Sequence, residues 1–138
     1  MKENKKIFLF IALFLSIFLI LISLILISQY KPKESFPDNY VTEVIDGDTF
    51  ITYSGETIRL LCVDTPEKNQ QGYEEAKSYL ESLILNKEVI LNTSITDKDI
   101  YNRSLRYVYI NNTFVNNLVL INYGELLIIP PEDCELLL

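Results

Sequence analysis

Val41-Thr42-Glu43-Val44-Ile45-Asp46-Gly47-Asp48-Thr49-Phe50-Ile51-Thr52-Tyr53-Ser54-Gly55-Glu56-Thr57-Ile58-Arg59-Leu60-Leu61-Cys62-Val63 reads as three short strands and two turns. β-Branched and aromatic residues fill Val41–Ile45 and Phe50–Tyr53, which flank the turn formers Asp46-Gly47-Asp48. Ser54-Gly55-Glu56 then leads into a third strand, Thr57–Val63. Downstream, Ala76, Leu80, Leu83 and Ile84 recur at helical spacing, which predicts an amphipathic helix over Glu74–Leu85, with Tyr73 one turn earlier on the same face. Glu88–Asn92 and Leu105–Ile110 read as strands, Asn111-Asn112 as a turn, and Val115–Asn122 as a short helix stopped by Gly124. About five short strands with helices predict a small α+β barrel, for which the oligonucleotide-binding (OB-fold) type is the natural candidate.

Upstream of this region the sequence changes character. Ile7–Ile27 holds 19 apolar residues in 21, broken only by Ser16 and Ser23, with no charge. At ~1.5 Å per residue such a run spans ~31 Å, the thickness of a bilayer's hydrocarbon core. Lys2, Lys5 and Lys6 precede it, so residues 1–6 are expected in the cytoplasm and the rest of the chain outside it, as a single-pass membrane protein. A cleaved signal peptide with secretion is the rival reading, and a buried core helix the third. The run exceeds the usual ~7–15-residue apolar region of a signal peptide, which favours an uncleaved anchor. Ser28–Asn39, with Pro32 and Pro37, reads as an extended linker. The folded domain is expected over residues 40–138.

The whole chain of 138 residues has 12 basic and 19 acidic side chains, a net charge of −7, with no His, no Trp and two Cys. From Lys31 onward the balance is 9 basic against 18 acidic, a net charge of −9. The missing His excludes Ser-His-Asp and Cys-His hydrolases, H-E-x-x-H zinc sites and any nuclease with an imidazole base. Two Cys alone do not close a structural zinc site. Acid-base chemistry at neutral pH therefore falls to carboxylates, Lys, Tyr or metal-bound water. The acidic balance argues against a broad basic surface for nucleic acid.

Three clusters remain for chemistry: Asp46-Gly47-Asp48-Thr49, Arg59-Leu60-Leu61-Cys62-Val63-Asp64-Thr65-Pro66-Glu67, and Asp99-Ile100-Tyr101-Asn102-Arg103. Each has a plain alternative. Asp-Gly-Asp is commonest as a solvated turn, and an EF-hand fails because Thr57 stands at the twelfth position, where a bidentate Glu is needed. Asp64-Thr65-Pro66-Glu67 on its own suits a helix N-cap with Pro at the first position. Asp99–Arg103 on its own is a charged turn.

In this order and at these separations, however, the three clusters resemble the staphylococcal nuclease (thermonuclease) family, over about Tyr40 to Gly124. Val115-Asn116-Asn117-Leu118-Val119 and Gly124 partly match that family's later V-N-x-x-L-V-x-x-x-G pattern. The resemblance implies a five-stranded OB-fold-type barrel and calcium-dependent hydrolysis of phosphodiester bonds in DNA and RNA, single strands preferred, by a monomer with no evident protein partner. It implies Asp48 and Asp64 as calcium carboxylates, with Thr65 adding its backbone carbonyl. Glu67 matches the general base on the attacking water, and Arg59 and Arg103 the groups that grip the phosphate. Asp46 matches an acidic position beside the metal ligands. The chemistry is consistent: Ca²⁺ takes oxygen ligands, and an Arg fork grips two phosphate oxygens as Lys does not.

Asn102 stands where that family has Gly, and Asn tolerates the left-handed backbone such a turn needs. Pro130-Pro131-Glu132-Asp133-Cys134-Glu135 looks like the start of the family's C-terminal helix, but the sequence ends at Leu138, and the family's nucleotide-flanking tyrosines have no match in Leu126-Leu127-Ile128-Ile129. These departures carry the expectation of a truncated product and a second functional reading, a catalytically inactive domain with a binding role only. Cys62, inside a strand, reads as a small buried hydrophobe; a disulfide to Cys134 does not follow from two cysteines. Glycosylation patterns at Asn92, Asn102 and Asn111 read as chance in an Asn-rich chain.

Overall fold

The computed structural model describes residues 2–29, 35–126 and 134. It divides into two compact units, one up to Ser35 and one from Phe36 onward. The first contains a helix, α1 (Lys2–Gln29), whose described apolar side chains are exposed. Its stretch Lys5–Gln29 is long and apolar enough to cross a membrane, a test that a signal sequence also passes.

The second unit starts where Phe36 stacks on Tyr40 at 4.2 Å between ring centroids and meets Tyr53 edge-on at 5.6 Å. Its elements are β1 (Val41–Val44), β2 (Thr49–Thr52), β3 (Thr57–Leu60), β4 (Val63–Asp64), α2 (Tyr73–Ile84), β5 (Ile90–Asn92), β6 (Ser104–Ile110), β7 (Thr113–Phe114), α3 (Val115–Tyr123) and β8 (Glu125–Leu126). The main sheet is mixed, in the order β1-β2-β3-β6-β5, with β7 also on β6. The β3–β6 pair is parallel, with Arg59 opposite Leu105; the other pairs are antiparallel. An antiparallel bridge between Tyr40 and Glu88, with hydrogen bonds from Val41 N–H to the Lys87 carbonyl (2.9 Å) and from Val89 N–H to that of Asn39 (3.3 Å), ties the stretch before β1 to that before β5. The α+β class expected from the pattern is what the chain adopts.

Burial explains why these elements form. Val41, Val44, Phe50, Ile58, Leu60, Val63 and Val108 from the strands meet Leu80 and Ile84 of α2 and Val115 and Val119 of α3 in one core. In α2, Ala76, Leu80 and Ile84 lie at i, i+4 and i+8, one face of a helix, and all are fully buried. Glu74 and Glu75 in its first turn complement the helix dipole, and Lys87 Nζ closes its end by donating to the Ser82 (3.0 Å) and Leu83 (2.7 Å) carbonyls.

Two local readings of the sequence fail, and one alternative drops out. The single strand read over Thr57–Val63 breaks at Leu61-Cys62, where Cys62 takes a left-handed backbone (φ 63°), so that Val63-Asp64 leaves the main sheet and pairs with Glu125-Leu126. Cys62 is also not a free buried hydrophobe: it forms a disulfide with Cys134, whose Cα lies 5.7 Å away. No helix starts at Asp64-Thr65-Pro66-Glu67; that stretch is irregular, and the next helix starts at Tyr73. Apart from Cys134, the helix start read over Pro130–Glu135 lies outside the described residues.

Candidate functional site

Two of the three clusters meet through Arg59. Its side chain rises from β3 and is buried. Arg59 Nη1 donates to Asp48 Oδ1 at 2.8 Å and Nη2 to Asp64 Oδ1 at 2.6 Å. One guanidinium thus bridges two carboxylates that are 16 residues apart in sequence.

Asp48 is placed by its turn. Its N–H donates to Asp46 Oδ1 (3.0 Å), and the Leu60 N–H donates to its carbonyl (2.8 Å). The buried Asp48 carboxylate accepts from Thr49 Oγ1, from the Thr65 N–H (3.1 Å) and from Thr65 Oγ1 (3.2 Å). Burial pushes the Asp48 carboxyl up to about 6, with the Asp46 charge adding to the rise and Arg59, Thr49 and Thr65 opposing it. Gly47 is needed for close approach: a Cβ there would stand 2.7 Å from the Ala76 Cβ and 2.7 Å from Thr65 Oγ1. The Asp-Gly-Asp turn is therefore packed under α2 and against Thr65, unlike a solvated turn.

The third cluster is a turn organised by Asp99. Its Oδ1 accepts from the N–H groups of Tyr101 and Arg103, both at 2.9 Å, and its Oδ2 from Arg103 Nε at 2.7 Å. Burial works to raise the Asp99 carboxyl, but these Arg103 and Tyr101 contacts outweigh it and hold the group below its usual range. Asn102 sits at φ 64°, the left-handed turn expected of it. The Arg103 guanidinium lies over the Tyr101 ring at 5.4 Å and reaches Thr49 Oγ1 at 3.4 Å.

Arg59, Glu67 and Arg103 line one groove of about 440 Å³, together with Leu61, Tyr101 and Leu105. Glu67 is exposed; its backbone N–H donates to Gln70 Oε1 (2.7 Å), and among the described residues its carboxylate has no hydrogen-bond or ion-pair partner. Asp48, Asp64 and Thr65 form the cluster behind Arg59. Asp46 holds the turn with its carboxylate, which accepts from the Asp48 N–H.

Asn116 carries no role in the sequence reading, yet it fixes the strand break beside the groove. Fully buried, it accepts from the Val108 N–H (2.8 Å) and donates to the Leu61 (3.1 Å) and Arg106 (3.0 Å) carbonyls. An Asn on the apolar face of a short helix was the available signal, since buried amides are retained where they satisfy backbone groups.

The family model described as staphylococcal nuclease homologue matches residues 57–125, half of the chain. The chain belongs to the staphylococcal nuclease family. It is similar to an uncharacterized protein of Methanocaldococcus jannaschii, 36% identical over 130 aligned positions that cover 70% of this chain and 61% of the relative. It is also similar to the thermonuclease of Staphylococcus hyicus, 34% identical over 85 positions (55% of this chain, 50% of the relative), and to protein ParB of Escherichia coli, 32% over 74 positions (51% and 41%). The chain thus spans between 41% and 61% of the length of these relatives.

Members of the staphylococcal nuclease family imply a calcium ion, and the donors present fit one chemically. Among the described residues no three Asp, Glu, Cys or His groups converge as a metal cluster. What the chain does offer is oxygen only: the two carboxylates that Arg59 draws together and the Thr65 main chain held against one of them. Oxygen donors of this kind suit a hard cation.

Proposed function

We propose that this chain is a membrane-anchored, calcium-dependent nuclease that hydrolyses phosphodiester bonds of DNA and RNA. Residues 1–6 lie in the cytoplasm, Ile7–Ile27 spans the membrane, residues 28–39 form a linker, and the nuclease domain works outside the cytoplasm. The observation that carries the reading is the groove shared by Arg59, Glu67 and Arg103, with the Glu67 carboxylate unengaged among the described residues.

Asp48, Asp64 and the Thr65 carbonyl would hold the calcium, which when bound supplies positive charge beside a phosphoryl oxygen. Glu67 orients a water and takes its proton; an exposed carboxylate with no partner is free to do both. Arg103 lines the same groove and offers phosphate oxygens the guanidinium nitrogens that its Asp99 pairing through Nε leaves over. Arg59, whose two Nη atoms pair with Asp48 and Asp64, would turn part of its guanidinium to the substrate phosphate. Fixed donors of this kind are worth ~10²–10³ in rate each.

The test uses the full chain in detergent micelles with single-stranded DNA. Cleavage should require calcium, stop on chelation, and fall at least ~100-fold in Glu67→Gln and in Arg103→Ala. Turnover that persists in chelator, or that survives both substitutions, defeats the reading. The net charge of −9 from Lys31 onward and the engagement of both Arg59 Nη atoms by carboxylates favour one alternative, a domain that binds without catalysis. Robust calcium-dependent cleavage removes that alternative.

A further inference from the structure

The chain has three arginines, and the third, Arg106, has no part in the site described above. It lies in β6 with its side chain 12% exposed, and its guanidinium joins three segments. Nη1 pairs with Asp97 Oδ1 at 2.7 Å and donates to the Asp97 (3.1 Å) and Leu105 (2.8 Å) carbonyls. Nη2 stands 3.7 Å from Glu56 Oε1, on the turn before β3, and the Ser104 hydroxyl donates to that same oxygen.

Asp97 is the root of the loop that forms one wall of the groove. Its carbonyl also accepts from the Leu105 N–H (2.9 Å), and Lys98 bridges Ser104. Two residues further on is Asp99, which sets the Tyr101 and Arg103 backbones and the Arg103 guanidinium. Apolar burial does little for this loop: Ile95 is 75%, Ile100 91% and Tyr101 74% exposed. A loop without a buried apolar anchor is held by its polar contacts, and Arg106 supplies the charged ones at its root.

We propose that Arg106 is a positioning residue: through Asp97 it fixes the loop over residues 95–103, and so aims Arg103 across the groove at the nucleic-acid phosphate. The effect on turnover rests on the nuclease reading above; the effect on the loop does not. A Lys at 106 reaches one partner at a time and so restores the anchor only in part. Asp97→Asn removes the charge pair while leaving the Asp97 carbonyl contacts and β6 intact.

Two measurements on the full chain in detergent test this. In amide hydrogen exchange, Arg106→Gln and Asp97→Asn should each speed exchange at the Tyr101 and Arg103 amides about tenfold, with the Ile58 and Val108 amides unchanged, and Arg106→Lys should fall between. Unchanged exchange at Tyr101 and Arg103 in Asp97→Asn overturns the proposal. So does equal acceleration at Ile58 and Val108 in that variant, which marks a role in the whole fold.

In calcium-dependent cleavage of a single-stranded oligonucleotide, Arg106→Gln should lower kcat/KM about tenfold. In an Arg103→Lys background the same change should cost less than threefold, because the group being aimed is already impaired. Losses that multiply fully across the two backgrounds overturn the aiming role. If the unsubstituted chain cleaves nothing, the nuclease reading fails and the exchange result alone decides whether Arg106 orders the loop.

Discussion

Arg59 and Asp48 form a buried ion pair at 2.8 Å, with the arginine side chain 9% and the aspartate 3% exposed. Removing one partner of such a pair leaves an uncompensated buried charge, which typically costs ~3–5 kcal/mol. Arg59→Met should therefore destabilise the domain by about that much and also abolish cleavage. Asp48→Asn removes the charge, keeps one accepting oxygen and leaves Arg59 its second carboxylate, Asp64, so it should cost less. Denaturant unfolding of both variants, followed by far-UV circular dichroism and corrected for α1, checks the ranking. Equal stability of Arg59→Met and the parent would show that the pair contributes nothing net.

The two shifted carboxyls give opposite pH dependences. Asp48 binds its proton more tightly folded (about 6) than unfolded (3.8). Its contribution to stability is full below about 3.8 and is lost as pH rises through about 6. Asp99 is held below 3.8 in the fold, so its contribution is present above that value and is lost as pH falls through its lowered one. In chelator, unfolding free energy should therefore decline between pH 4 and 6.5 in the parent, and Asp48→Asn should flatten that decline. Calcium should reverse it if Asp48 binds the ion, because a bound cation favours the ionised carboxylate. A stability curve rising through this window in chelator would contradict the burial assigned to Asp48.

What the sequence revealed and what it hid divide along the range of the interaction. Strands bounded by Asp-Gly-Asp and Ser-Gly-Glu, and the helix carrying Ala76, Leu80 and Ile84, follow from local periodicity, and they fold as read to within a residue or two. The motif residues Arg59, Glu67 and Arg103 were legible because their chemistry and order are distinctive, and one groove collects them. The break at Leu61-Cys62 was not legible, because apolar residues run through it without a turn former. It is dictated from 55 residues away by the Asn116 amide on the Leu61 carbonyl, and from 72 residues away by Cys134. Arg106 and Asp97 were equally silent, since a surface-like charge in an alternating strand looks the same whether solvated or bridging two turns.

The disulfide should matter mainly for stability. It closes a sequence separation of 72 residues, for which the loop-entropy model gives roughly 4 kcal/mol. A dithiol reductant, which takes up the disulfide by exchange and leaves two thiols on the chain, should lower the denaturation midpoint of the parent. The Cys62→Ala, Cys134→Ala double variant should start at that lower midpoint and not respond to reductant. Thiol counting by mass spectrometry before and after reduction identifies the bond. Two free thiols in protein purified from an oxidising compartment would contradict the pairing.

Asn116 is the most sensitive single position outside the groove. Asn116→Leu keeps the volume but strands the buried Val108 N–H and removes a donor from the buried Leu61 carbonyl and from the half-buried Arg106 carbonyl. The Arg106 carbonyl keeps its Leu61 N–H donor; the two remaining groups cost ~1–3 kcal/mol each when unsatisfied, so a loss of at least ~2 kcal/mol is expected even though the substitution is apolar for polar in a core. Asn116→Asp separates the two functions of the amide. The acid still accepts from Val108 N–H but donates to neither carbonyl when ionised, and its charge is buried without a partner, so it should be the worse of the two at neutral pH and should recover as the pH is lowered. Thermal unfolding of both variants at pH 5 and pH 8 distinguishes this from a simple packing effect, which would leave the ranking independent of pH. Because Leu61 stands between Arg59 and Asp64, the same variants should also loosen the pairing of Arg59 with Asp64. Cleavage should then fall further than the unfolded fraction alone accounts for.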